Sequence, residues 1–124
     1  MFQELQQILQ DLQSRIEGLE ELVVLQQDGS LLAERRTAED STAIRTTSKA
    51  FAALASQMYE SLGRGSATEA IIRGKDRFLA IYGTPEDQTF LAIVGSSAVN
   101  FGLLNSGGRI TIKKICDLLA NASS

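Results

Sequence analysis

Between Phe2 and Glu17 the apolar positions are Phe2, Leu5, Ile8, Leu9, Leu12 and Ile16, separated by Gln, Glu, Asp, Ser and Arg. Steps of three and four lay one stripe along a helix, and Gly18 stands where a left-handed, helix-ending residue belongs. The stripe also fits a heptad seam, but for fewer than three heptads, so the spacing predicts a helix lying on its own domain. Leu22-Val23-Val24-Leu25 and Ser30-Leu31-Leu32-Ala33 then flank Asp28-Gly29. That pattern predicts two antiparallel strands joined by a tight turn with two positive-φ positions. Leu22–Leu25 is apolar without alternation, the mark of a strand covered on both faces. Glu34-Arg35-Arg36 is read as leaving the core.

Thr37-Ala38-Glu39-Asp40 has the form of a capping box with a shortened acid, and opens a helix expected over Asp40–Leu62. Ile44, Thr47, Phe51, Ala55, Met58 and Leu62 form one face, widened by Ala43, Ala50, Leu54 and Tyr59, and Ala52 with Ala53 carries it nearly around. A surface helix of a small monomer needs an apolar stripe of about 100°. The stretch from Ala50 to Ala55 exceeds what one sheet covers and permits close approach of a second helix, although alanine's helix propensity alone would also place it there.

Beyond Gly63-Arg64-Gly65-Ser66 the pattern predicts a three-strand meander: Thr68–Arg73, a turn at Gly74-Lys75-Asp76, Phe78–Tyr82, a turn at Thr84–Gln88 around the only proline, and Phe90–Val94. From near Val99 to near Ala122, Leu103, Leu104, Ile112, Ile115, Leu118 and Leu119 suit a helix. Gly107-Gly108 either interrupts it or lets it sit tightly on a neighbour; a continuous helix is the expectation. Cys116, beside Ile115, is read as buried filler. The order α-β-β-α-β-β-β-α predicts an α+β fold, an α/β/α sandwich around one five-stranded antiparallel sheet, with residues 1–124 forming a single domain.

Composition narrows the function. The 124 residues are 44% hydrophobic and 22% charged, a globular balance with enough chain for one core. A net charge of −3 provides no electrostatic footprint for nucleic acid or anionic lipid. No apolar stretch reaches the roughly 18 residues of a membrane span. Met1-Phe2-Gln3-Glu4 has neither the basic start nor the apolar run of a signal peptide, so a cytoplasmic module without membrane insertion is expected. With no histidine and one cysteine, His-dependent nucleophile systems, His-ligated zinc and an internal disulfide cannot be assembled. No catalytic, cofactor-binding or metal site is nominated, and the chain is read as a non-enzyme.

The remaining motifs have plain readings. The three Gly-rich stretches lack the strand-loop-helix order or the Ser/Thr of a phosphate loop and are assigned to turns or packing. Glu20-Glu21, Glu39-Asp40 and Glu86-Asp87 adjoin predicted element ends, where solvated charge suffices. Arg35-Arg36 could meet carboxylates or phosphate, or form a charged edge that discourages strand addition. If Thr68–Arg73 is an edge strand, its run Ala70-Ile71-Ile72 is an aggregation hazard or a deliberate pairing site.

The element order, with Ile16-x-Gly18-Leu19, Gln27-Asp28-Gly29-Ser30-Leu31-Leu32-Ala33, Ala50-Phe51-Ala52-Ala53-Leu54, Glu69-Ala70-Ile71-Ile72-Arg73-Gly74 and Asn100-Phe101-Gly102-Leu103-Leu104, resembles the roadblock family, named for its dynein light-chain members, across essentially the whole chain. Gly107-Gly108 departs from it, since members usually carry ordinary helix formers there. The resemblance implies a longin- or profilin-like layout, with the long helix on one sheet face and the terminal helices on the other. It further implies a homodimer, or a heterodimer with a roadblock paralogue, that joins edge strands into one sheet and sets the long helices side by side. The interface residues it implies are Phe51, Leu54, Ala55, Met58, Ala70, Ile71, Ile72 and Arg73. Such dimers form platforms for Ras-like small GTPases, and bacterial relatives of the Mgl type activate a polarity GTPase. Arg45 and Lys49 would then face the GTPase. The expected function is a non-catalytic homodimeric regulator or scaffold that binds a Ras-like GTPase and stimulates its hydrolysis; the alternative is a small-molecule sensor or light-chain-like adaptor without a GTPase. If Met58 lies in a dry interface, Met58→Glu places an unpaired charge there at a cost of several kcal/mol, and sedimentation should report monomers where the unaltered chain gives dimers.

Overall fold

In the computed structural model, residues 2–26, 28, 30–36, 68–84 and 88–123 are described. The elements are α1 (Phe2–Arg15), β1 (Leu19–Gln26), β2 (Leu31–Arg36), β3 (Thr68–Arg73), β4 (Arg77–Thr84), β5 (Thr89–Ser96) and α2 (Phe101–Ser123). The helix expected over Asp40–Leu62, its capping box at Thr37–Asp40, Gly63–Ser66 and the proline turn at 85–87 lie outside the described residues.

The five strands form one antiparallel sheet in the order β2-β1-β5-β4-β3. β1 lies between β2 and β5, and Glu21 to Leu25 are buried on both faces, which explains why its sequence does not alternate. On one face Leu5, Leu9 and Leu12 of α1 and Leu104, Ile112 and Ile115 of α2 pack over Leu22, Val24, Ala80, Tyr82, Leu91 and Ile93. The other face carries a second buried cluster: Val23, Leu25, Ile81, Phe90 and Ala92, with Leu79 at its margin. Each such fully buried Leu, Ile or Phe contributes about 1.5–3 kcal/mol. The expected five-stranded antiparallel α+β architecture is therefore present.

Gly18 ends the first helix as expected: α1 stops at Arg15 and the chain turns through Gly18 at φ +100°, a conformation that a side chain would strain. The Gly18 carbonyl accepts the Ser96 N–H at 2.9 Å, tying this turn to the end of β5. Other local expectations need correction. The β1–β2 hairpin is wider than a two-residue turn. Gln26 N–H donates to Ser30 O at 2.9 Å, and the Asp28 carboxylate accepts the Ser30 N–H at 2.8 Å, so the aspartate braces the loop through its side chain. Glu34 and Arg35 leave the core as expected, being only half-buried, while β2 itself continues through Arg36, paired to β1.

Glu21 is not solvated. The β1–β5 register slips between Leu19 and Glu21, and beyond the slip residues 21, 23 and 25 share the second face, which leaves Glu21 1% exposed. Cys116 is half-buried against the first cluster rather than fully enclosed.

The last helix runs unbroken through Gly107-Gly108. A Cβ on Gly108 would lie 2.5 Å from the Tyr82 ring, and one on Gly107 2.9 Å from Leu12 and Ile16. The glycines let α2 rest directly on β4 and against α1. Helix propensity alone makes Gly108→Ala stabilising by up to about 1 kcal/mol. The ring contact reverses that sign, and we expect urea unfolding to show Gly108→Ala destabilised by about 1–3 kcal/mol.

Candidate interaction surface

The two ends of the sheet are built differently. At the β2 edge, the Gln6 side-chain amide on α1 donates to the main-chain Glu34 O at 3.0 Å, and the Arg35 guanidinium donates to the side-chain amide oxygen of Gln13. Polar side chains of α1 thus occupy this edge. Arg35, which sequence alone left between a carboxylate or phosphate partner and a charged edge, serves the edge.

At the other end stands β3. Its turn into β4 closes with Gly74 N–H donating to Arg77 O at 2.7 Å, so the main chain at position 74 faces β4. Antiparallel strands alternate their inward and outward groups. The N–H and C=O of Glu69, Ile71 and Arg73 therefore point away from the sheet.

Side chains follow the same alternation. Ile71 packs toward the first cluster, with Glu69 and Arg73 on the same side. Ala70 and Ile72 share the opposite face, where Ile72 is 51% exposed, one of five large hydrophobics left exposed among the described residues.

An edge strand has one ladder partner, so its register depends on what touches its face. Phe101, Asn105 and Arg109 recur every four residues along one line of α2, a helical spacing. The Arg109 guanidinium grips both carboxylate oxygens of Glu69, the Nη2–Oε2 contact being 2.9 Å. The Tyr82 hydroxyl donates to the Asn105 amide oxygen at 2.7 Å. Arg73 lies over the Phe101 ring, 3.6 Å from its centroid, and Phe78 meets that ring edge-on at 5.4 Å. The spans agree: eight residues of helix from Phe101 to Arg109 cover about 12 Å, and four residues of strand from Glu69 to Arg73 about 13 Å. α2 thus braces both ends of β3 at once.

Burial pushes the Tyr82 hydroxyl well above the usual tyrosine range, with the Glu69 charge adding to the effect and Arg109 opposing it. Hydrogen bonding to Glu69, reinforced by its charge, raises Arg109.

Of the residues nominated from sequence, Ala70, Ile71, Ile72 and Arg73 come together on this edge. Phe51, Leu54, Ala55, Met58, Arg45 and Lys49 lie outside the described residues. Sequence reasoning missed Glu69, Tyr82, Phe101, Asn105 and Arg109 as a group; the four-residue spacing on α2 was the available signal. Among the described residues no helix is long and apolar enough to cross a membrane, and no cluster of three His, Cys, Asp or Glu side chains is placed to hold a metal.

The sequence model of the Roadblock/LC7 domain family matches residues 5–95. Solved structures share the fold at low identity. MglB in a tetrameric arrangement aligns with a TM-score of 0.78 at 13% identity, covering 98% of this chain and 91% of that one. A Roadblock/LC7 domain from Streptomyces avermitilis gives 0.71 at 15%, covering 92% and 96%. MglC from Myxococcus xanthus gives 0.65 at 18%, covering 94% and 98%. No curated protein sequence matches the chain.

The raised Tyr82 has a consequence for stability. Free tyrosine ionises near pH 10, so above that pH the unfolded chain releases a proton that the folded chain retains. Tyr82's contribution is complete below about pH 10 and declines as pH rises. Between about pH 9 and 11 the urea midpoint of the unaltered chain should fall more steeply than that of Tyr82→Phe.

Proposed function

Because this chain belongs to the Roadblock/LC7 domain family, we propose that it acts as a non-catalytic regulator or scaffold. In this reading two copies, or one copy and a roadblock paralogue, join through β3, and the joined unit presents a platform to a Ras-like small GTPase whose hydrolysis it stimulates. One observation carries the reading: among the described residues the Glu34 carbonyl of β2 is met by the Gln6 side chain of α1, whereas β3 has a strand on one side only and turns the main-chain groups of Glu69, Ile71 and Arg73 away from it. An apolar open edge is a hazard in a monomer and an asset in an assembly. Similarity to MglB in a tetrameric arrangement supports self-association.

The second half of the interface is the Asp40–Leu62 segment, with Phe51, Leu54, Ala55 and Met58 toward the partner and Arg45 and Lys49 toward the GTPase. A stable joint of this kind buries roughly 1,200–2,000 Å² in total, more than one pair of six-residue strands offers, so the reading requires a second contact of this kind.

Ile72→Lys is the direct test. Ile72 is half-exposed in the single chain, so the fold should tolerate the change, while the joint would receive an unpaired charge costing several kcal/mol. Sedimentation should show dimers for the unaltered chain and monomers for the variant, which keeps its native circular dichroism and a cooperative melt, with a lower midpoint because association no longer stabilises the fold. Co-purification with GTP-loaded small GTPases, followed by a turnover assay, should show retention and faster hydrolysis with the dimer and neither with Ile72→Lys. Retention equal for both proteins would exclude the joined platform.

A further inference from the structure

We infer that two copies of this chain pair along β3 in one register, centred on Ile71, in which Arg73 of each copy meets Glu69 of the other. The inference rests on the proposed self-association and specifies its geometry.

The first observation is the state of Arg73. Its guanidinium carbon sits over the Phe101 ring, 3.6 Å from the centroid, a contact that consumes no hydrogen-bond donor. Arg73 is exposed, and among the described residues it makes no hydrogen bond or ion pair, so its N–H donors are left to water there. A cation with unused donors, on a strand whose outer edge is open, is prepared for an acceptor arriving along that edge.

The second observation is the order of residues in β3. A two-fold axis relating antiparallel copies makes the interface reciprocal, each contact occurring twice. With the axis at Ile71, Glu69 stands opposite Arg73 of the second copy, Ala70 opposite Ile72, and Ile71 opposite itself. Opposite charges therefore face one another at both ends. On the other side of the sheet the exposed Ile72 comes to rest against a small residue. Oppositely charged side chains directly across a ladder stabilise it, and like charges destabilise it.

The third observation is the main chain. Glu69, Ile71 and Arg73 are the three residues that turn both N–H and C=O outward, and all three meet one another only when the axis passes through Ile71. Moving the axis one residue either way matches Glu69 or Arg73 to Ile71 and sends the remaining outward residue beyond the strand. Glu69 can serve Arg109 within the chain and Arg73 across the joint, because a carboxylate has about four lone-pair sites.

Charge reversal tests the register. Arg73→Glu sets Glu against Glu at both ends, and Glu69→Arg sets Arg against Arg. Each variant alone should self-associate at least tenfold more weakly than the unaltered chain, and an equimolar mixture should recover a mixed dimer, since both ends are then complementary. Recovery is specific to this pairing, because loss of the Arg109 or Phe101 contact within a chain would not be cured by mixing. A second measurement uses cysteines in a Cys116→Ser background. The self-opposed position gives a Cα separation of about 5.5 Å, within disulfide reach, so Ile71→Cys should cross-link on oxidation while Ala70→Cys and Ile72→Cys do not. Mixed variants that stay apart, or cross-linking at 70 or 72 in place of 71, would overturn the register while leaving the dimer intact. A monomeric unaltered chain at high concentration would overturn the joint itself, and the register with it.

Discussion

The distance between α2 and the sheet governs the rest of this molecule. Gly108 presents bare backbone to the Tyr82 ring, and the helix descends to a depth that no side chain at that position would permit. Only at that depth do Phe101, Asn105 and Arg109 reach Arg73, Tyr82 and Glu69. Lifted by one methyl group, the same helix would still cover the apolar core, yet its grip on β3 would slacken. Two glycines in a helix cost up to about 1 kcal/mol each relative to alanine, and the close contact along β4 and α1 offsets that cost.

The two sheet edges are managed in opposite ways. Every open sheet must end twice, and each end leaves main-chain donors and acceptors that another strand can satisfy. Here one end is occupied by the amide of Gln6 and the Arg35–Gln13 pair, both depending on α1 lying along β2. The other end is held straight by α2. The terminal helices therefore act on the sheet in opposite senses, the first occupying an edge and the second presenting one.

Much of the architecture was legible in the sequence because it depended on period and punctuation. The consecutive apolar runs of β1 and β5 announced burial on both faces, and Gly18 announced the end of α1. What escaped depended on side-chain reach or on a slip of register. Glu21 looked like an ordinary acid at a strand end, and only the irregularity after Leu19 turns it inward. The Asp28 turn was recognised by its residue types but not by its width, since the side-chain hydrogen bond to Ser30 is invisible to a dipeptide rule. On the candidate surface, Ala70–Arg73 could be nominated because an apolar edge strand is a recognisable anomaly. Glu69 and Arg109 are 40 residues apart in the chain, and nothing local connects them.

The contact between Gly108 and Tyr82 also constrains the history of the sequence. An aromatic ring at 82 packs well only while 108 lacks a side chain, and a smaller residue at 82 leaves a hollow beneath the helix that a larger one at 108 could fill. Neither position can drift alone without passing through a poorly packed intermediate. Homologous chains should therefore divide into two lineages, one with glycine over a ring and one with a side chain over a smaller residue, and intermediates between them should be scarce.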